Sequence, residues 1–179
     1  MHYTLCDMIA DITANSVEAG ATCIALECIQ TKDAFNVTVA DNGKGMSSQT
    51  LMRAKDPFYT DGKKHPGRKV GLGIPFLIQT AEETDGFWDI QSVPGKGTKV
   101  IMGFNLANID TPPVGNLQDL FLDILTLPGN YDMDIHRKDD EAKLDYKLNR
   151  NELKDALGGE LESAGSQILL RKFIESQEV

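Results

Sequence analysis

"FNVTVADNGKGM", residues 35–46, is the stretch from which the chain can be read in both directions. Phe35 to Ala40 is rich in β-branched residues and reads as a strand. It runs into Asp41, Asn42 and two glycines, Gly43 and Gly45. Asn-Gly is a turn signal in its own right. A turn formed of these residues needs no function, so whether Asp41 reads a ligand depends on what the rest of the chain brings to it.

On the N-terminal side, "ATCIALECI" (21–29) reads as a strand and "TKDA" as the turn that follows, which predicts an antiparallel hairpin. Residues 3–19 read as a helix whose apolar side is Leu5, Ile9, Ile12 and Ser16 or Val17. Asp7, Asp11, Asn15 and Glu18 fall within about 80° of one another on one helical face. Gly20 is placed to end that helix. On the C-terminal side, Ser47 is a good N-cap for a short helix over 48–55. Residues 56–70, "DPFYTDGKKHPGRKV", have no apolar period and read as a long loop, the kind that is commonly functional or mobile. A helix resumes over 71–84, with Pro75 tolerated in its first turn. "GFWDIQSV" (86–93) and "GTKVIMGFNL" (97–106) read as two strands joined by the "PGKG" turn. The order helix, strand, strand, short helix, loop, helix, strand, strand predicts an α+β fold, a two-layer sandwich of helices on an antiparallel or mixed sheet.

"DTPPVG" (110–115) reads as a boundary, dividing the chain into residues 1–109 and an extension of 110–179. In the extension Leu117, Leu120, Phe121, Ile124 and Leu127 form a helical stripe. "YDMDIHR" and "AKLDYKL" alternate and predict a second hairpin, followed by helices near 150–157 and 165–177. This extension can cover the sheet, dimerise or bind a partner, and the sequence does not choose.

The 179 residues carry a net charge of −9 with 41% hydrophobic content, which suits an ordinary globular chain and argues against a general nucleic-acid or anionic-membrane binder. No apolar run approaches the roughly 18 residues of a membrane helix. The opening "MHYTLCDMIADI" lacks a basic n-region, so the expected location is the cytoplasm. Cys6, Cys23 and Cys28 lack zinc-type spacing and are expected to be reduced and mostly buried, with Cys23 and Cys28 on opposite faces of their strand. Against the acidic background, Arg53, Lys55, Lys63, Lys64, Arg68 and Lys69 cluster around the long loop. That is either a solvated basic loop or one that meets polyanionic phosphate.

"ANSVEAGAT", "DNGKGM", "GRKVGLGIP" and "PGKGTKV", in that order and spacing, resemble the motifs of the GHKL ATPase superfamily. That superfamily includes histidine-kinase catalytic domains, heat-shock chaperones, type II topoisomerases and mismatch-repair ATPases. The first motif resembles the mismatch-repair members. The long loop and last strands are more similar to histidine kinases. With its extension the chain resembles small stand-alone bacterial ATP-binding proteins.

The resemblance implies a Bergerat-type ATP-binding fold with ATP and Mg²⁺ as cofactors. It makes Asp41 the acceptor of the adenine amino group; a carboxylate only accepts, so it selects an edge that donates. Gly43 and Gly45, with Met46 beside them, let the backbone approach the ring, and Thr98 supports the aspartate or its bridging water. Asn15 matches the magnesium ligand, a neutral oxygen suited to an ion that keeps waters and takes phosphate oxygens. Gly71, Leu72 and Gly73 match the glycine box whose backbone N–H groups face the phosphates, and the basic loop matches the ATP lid, with Lys69 or Arg68 within reach of the γ-phosphate. Asp11, one turn before Asn15, stands where hydrolytic members have a glutamate. It can be a slow general base, a magnesium ligand through water, or neither. His2, His65 and His136 read as surface histidines and not as phosphoacceptors. Three functions follow from the resemblance: a nucleotide-gated regulatory module that contacts a protein partner or a second copy, a protein kinase acting in trans, or a slow ATPase using Asp11.

Overall fold

The computed structural model describes residues 4–56 and 73–179. The first helix, α1 (Leu5–Glu18), starts at a capping box in which Thr4 and Asp7 each bond the other's backbone N–H. Gly20, at φ +73, follows its end, as expected of the residue after the C-cap. The hairpin of β1 (Cys23–Gln30) and β2 (Ala34–Asp41) is antiparallel and aligns Ile24 with Asp41. β1 begins two residues later than its composition suggests, because Asn42 Oδ1 accepts from the N–H groups of Thr22 and Cys23 at 2.9 and 3.0 Å.

Then come α2 (Ser48–Lys55), capped by Ser47 as expected, and α3 (Gly73–Glu83). β3 (Phe87–Val93) and β4 (Gly97–Asn105) form the second hairpin, and β4 also pairs with β2. The remainder is α4 (Leu117–Leu125), β5 (Asp132–Asp139), β6 (Leu144–Asn149), α5 (Arg150–Ala156) and α6 (Ala164–Gln177).

The strands form one mixed sheet in the order β3-β4-β2-β1-β5-β6. β5 lies parallel to β1, so the second expected hairpin is added to the same sheet instead of covering it. Alternation assigns one sheet face to the core. Leu26 and Cys28, Phe35 and Val37, Met102 and Phe104, and Met133 and Ile135 are buried on that face under the helices. The fold is the expected α+β two-layer sandwich. Cys6 and Cys28 are buried and Cys23 is exposed, which corrects the expectation that the thiols are mostly hidden at that one position.

The segment read as a boundary is stitched to the first helix. Pro113 and Val114 carbonyls accept from the N–H groups of Leu5 and Cys6, both at 2.9 Å. These N–H groups belong to the first turn, which has no intrahelical acceptor of its own. Gly115, at φ +93, passes so close to Thr4 that a Cβ would lie 2.8 Å from its side chain. Among the described residues no helix is long and apolar enough to cross a membrane.

Candidate nucleotide site

At one end of the sheet three inward-facing polar side chains form a row. Ser92 on β3 is the register partner of Thr98 on β4, and Thr98 is the partner of Asp41 on β2. Each continues the phase of a buried apolar residue, namely Ile90, Val100 and Val39. A polar row in that phase needs internal partners, and it has them. Asp41 Oδ1 accepts from Gly43 N at 2.8 Å and from Thr98 N at 3.2 Å. Its Oδ2 accepts from Ser16 Oγ, which reaches down from α1, at 2.6 Å. An ionised carboxylate has about four lone-pair positions, so a held Asp41 retains room for about one more donor. Thr98 meets the aspartate through its backbone N–H; its hydroxyl is 2.8 Å from Ser92 Oγ.

The turn after Asp41 is wedged between two other segments. Lys44 N–H donates to Ala19 O at 3.0 Å, and Gly95 N–H donates to Lys44 O at 2.7 Å. Gly43 packs where a Cβ would be 2.9 Å from Ala19 Cβ. Gly45 has φ +63, and a Cβ there would be 2.0 Å from Val93 O. Both glycines thus allow close packing within the protein, against Ala19 and the Val93 carbonyl. Met46 N–H donates to Ser92 Oγ at 2.8 Å, tying the end of the turn to the row.

Asn15 and Asp11 are both exposed on α1, one turn apart. Asp11 is brought to α3, where a Cβ on Gly73 would be 3.3 Å from Asp11 Cβ and 3.8 Å from its Oδ2. Thus Asp41, Gly43, Gly45, Met46 and Thr98 are gathered around one turn, while Asp11 and Gly73 meet at the α1–α3 contact. Lys69, Gly71 and Leu72, with Lys63, Lys64, Arg68, His2 and His65, lie outside the described residues. Among the described residues no group of three or more His, Cys, Asp or Glu is placed to hold a metal ion. Asn15 and Asp11, one turn apart on α1, offer one amide and one carboxylate oxygen, hard donors of the kind that suits Mg²⁺. A cavity of about 470 Å³ lies at the other end of β1, beside Gln30, Arg137, Asp139 and Glu178. Its two carboxylates do not suit a triphosphate.

Ser16 and Ser92 were not assigned to the site from sequence. Each had a legible signal, a hydroxyl in a position whose helical or strand phase calls for an apolar side chain. His136 is held between Glu27 Oε2 at 3.3 Å and Asp145 Oδ1 at 2.9 Å, one carboxylate on each ring nitrogen.

The family model for histidine kinase-, DNA gyrase B- and HSP90-like ATPases matches residues 3–108. A sensor protein of Shewanella frigidimarina is 34% identical over 106 residues, 58% of this chain and 16% of that protein. Sensor protein DegM of a Bacillus species is 30% identical over 52% of this chain and 25% of its own length. Sporulation kinase C of Bacillus subtilis is 30% identical over 49% of this chain and 20% of its own length. The matched segment thus spans a quarter or less of each of these relatives. Among solved structures, the nucleotide-free catalytic domain of histidine kinase ThkA aligns with a TM-score of 0.42 at 18% identity, over 59% of this chain and 66% of that one.

Proposed function

The chain belongs to the histidine kinase-, DNA gyrase B- and HSP90-like ATPase family, and from that premise we propose that it is a Mg²⁺-dependent ATP-binding module that regulates a partner protein. The observation that carries this reading is the Asp41 carboxylate. It is fixed by three hydrogen bonds at the end of the sheet, from Ser16, Gly43 and Thr98. A carboxylate held this way cannot turn to suit a base that offers an acceptor, so it selects the amino group of adenine. Asn15 supplies a neutral oxygen to Mg²⁺. In the same reading the motif of Gly71, Leu72 and Gly73 is the phosphate-facing glycine box, and Lys69 or Arg68 supplies positive charge. Bound ATP then changes the surface that a partner meets. The relatives described as sensor proteins and as a sporulation kinase support a signalling role. His136 has a carboxylate on each ring nitrogen, and in the kinase reading the phosphoryl group goes to a residue of a partner.

The contact between Asp11 and Gly73 favours a second reading, slow hydrolysis. Asp11 would take a proton from water as its oxygen bonds to the γ-phosphorus and the bond to the β,γ-bridging oxygen breaks. The deciding experiment follows γ-labelled ATP with Mg²⁺ and excess protein. Intact bound ATP supports the regulatory module. Steady phosphate release that is lost in Asp11→Asn supports the ATPase. Binding of ATP by Asp41→Asn as tight as by the parent chain overturns the site.

A further inference from the structure

Ser92 has no part in the reading above, yet its hydroxyl meets three groups. Met46 N–H is at 2.8 Å, Gly97 O at 3.2 Å and Thr98 Oγ1 at 2.8 Å. A serine hydroxyl has one proton and two lone pairs. Met46 N–H can only donate, so it occupies one lone pair. The single Ser92 proton then has two destinations. If it goes to Gly97 O, Thr98 donates to Ser92 and offers only lone pairs elsewhere. If it goes to Thr98 Oγ1, Thr98 keeps its own proton for another acceptor. Passing from the first arrangement to the second gives up only the longer bond, the one to Gly97.

Thr98 is the neighbour of Asp41 in the register, with its N–H on the aspartate's Oδ1. We propose that Ser92 is a positioning residue for base discrimination. It holds the Thr98 hydroxyl so that it donates, directly or through one water, to the ring nitrogen beside the amino group that Asp41 accepts. The proposal rests on the reading of Asp41 as the adenine acceptor. Adenine presents a donor, the 6-amino group, next to an acceptor, N1. Guanine presents an acceptor next to a donor. An aspartate that accepts beside a threonine that donates matches the first edge and opposes the second at both positions. Ser92 makes this possible because it can reverse its bond with Thr98 while Met46 keeps it in place.

The test titrates the full chain with Mg²⁺ and three nucleotides: ATP, 1-deaza-ATP, which lacks the N1 acceptor, and purine riboside triphosphate, which lacks the amino group. The parent is expected to prefer ATP over 1-deaza-ATP by about tenfold, the size of one hydrogen bond. In Ser92→Ala that preference should fall to about twofold or less, while the preference over purine riboside triphosphate stays at the parent value. Ser92→Thr, which keeps the hydroxyl, should restore the N1 preference. If Ser92→Ala does not fold, Ser92→Cys, a weak donor of similar size, gives the same comparison. Equal weakening of all three nucleotides means a merely structural role and overturns the proposal; so does an N1 preference unchanged from the parent. An amino-group preference that survives in Asp41→Asn instead overturns the underlying site, whatever Ser92 does.

Discussion

Two glycines with similar backbone angles should respond differently to the same substitution. Gly45 and Gly20 both have positive φ, +63 and +73. A Cβ at Gly45 meets Val93 O at 2.0 Å, whereas nothing lies within 4 Å of one at Gly20. Gly20→Ala is therefore expected to cost about 1 kcal/mol, the left-handed penalty alone. Gly45→Ala must also displace the turn after Asp41, and we expect about 2–4 kcal/mol together with loss of ATP binding. Urea midpoints and nucleotide titration check both. The cysteines give a second contrast at this scale. Burial, with Asp7 nearby and Arg137 opposing, pushes the Cys6 thiol up to about 12, and burial pushes Cys28 up as well. Iodoacetamide at neutral pH should modify the exposed Cys23 and leave the other two until the chain is unfolded, as read by mass spectrometry.

Asp139 adds a pH dependence. Burial raises its pKa, but the N–H of Ala142, the Arg137 guanidinium and the N–H of Glu141 together outweigh burial and leave it below the ordinary carboxylate value. The unfolded chain then binds more protons than the folded one at acid pH. The stability from this group is full above the unfolded value, roughly 4, and is lost as pH falls through the lower folded value. Asp139→Asn should flatten the acid limb of the stability–pH curve.

At the level of elements, α1 and α2 are held in different ways. α1 has its capping box, its first N–H groups on Pro113 and Val114, and a face buried at Leu5, Ile9 and Ile12. α2 has no buried residue; Leu51 is partly buried and Lys55 lies over the Trp88 ring at 4.9 Å. α2 is thus expected at the low end of local stability, with amide exchange faster than in α1. Trp88 is the chain's one tryptophan, so Lys55→Ala should change the intrinsic fluorescence. Unchanged emission would mean that α2 is not held at that ring.

For the whole molecule, the main question is whether residues 110–179 stand apart. The parallel β1–β5 pair and the α1–α4 contact join them to the first half. The buried Arg150 donates to carbonyls at the end of α4 and to Tyr131 O, so it ties that helix to the start of β5. Cutting the chain after residue 109 would bare the inner face of α1 and open β1 as a sheet edge. The full chain should unfold in one transition, and the cut chain should aggregate or lose its cooperative transition. A cut chain that melts cooperatively and binds ATP as the parent does would make the extension an independent unit.

The sequence by itself determined the elements. Periodicity is local, so Leu5, Ile9 and Ile12 mark α1, the alternation in 35–40 marks β2, and Ser47 marks the start of α2 without reference to any distant residue. It also pointed to Asp41, because the surrounding motifs recur in a recognisable order. Tertiary structure decided what those residues touch. Ser92, Thr98 and Asp41 become neighbours only once the strand register is set, and Ser16 joins them only when α1 lies across that row. The place of β5 beside β1 was likewise closed to the sequence, because strand pairing depends on contacts a hundred residues apart and leaves no periodic trace in either strand.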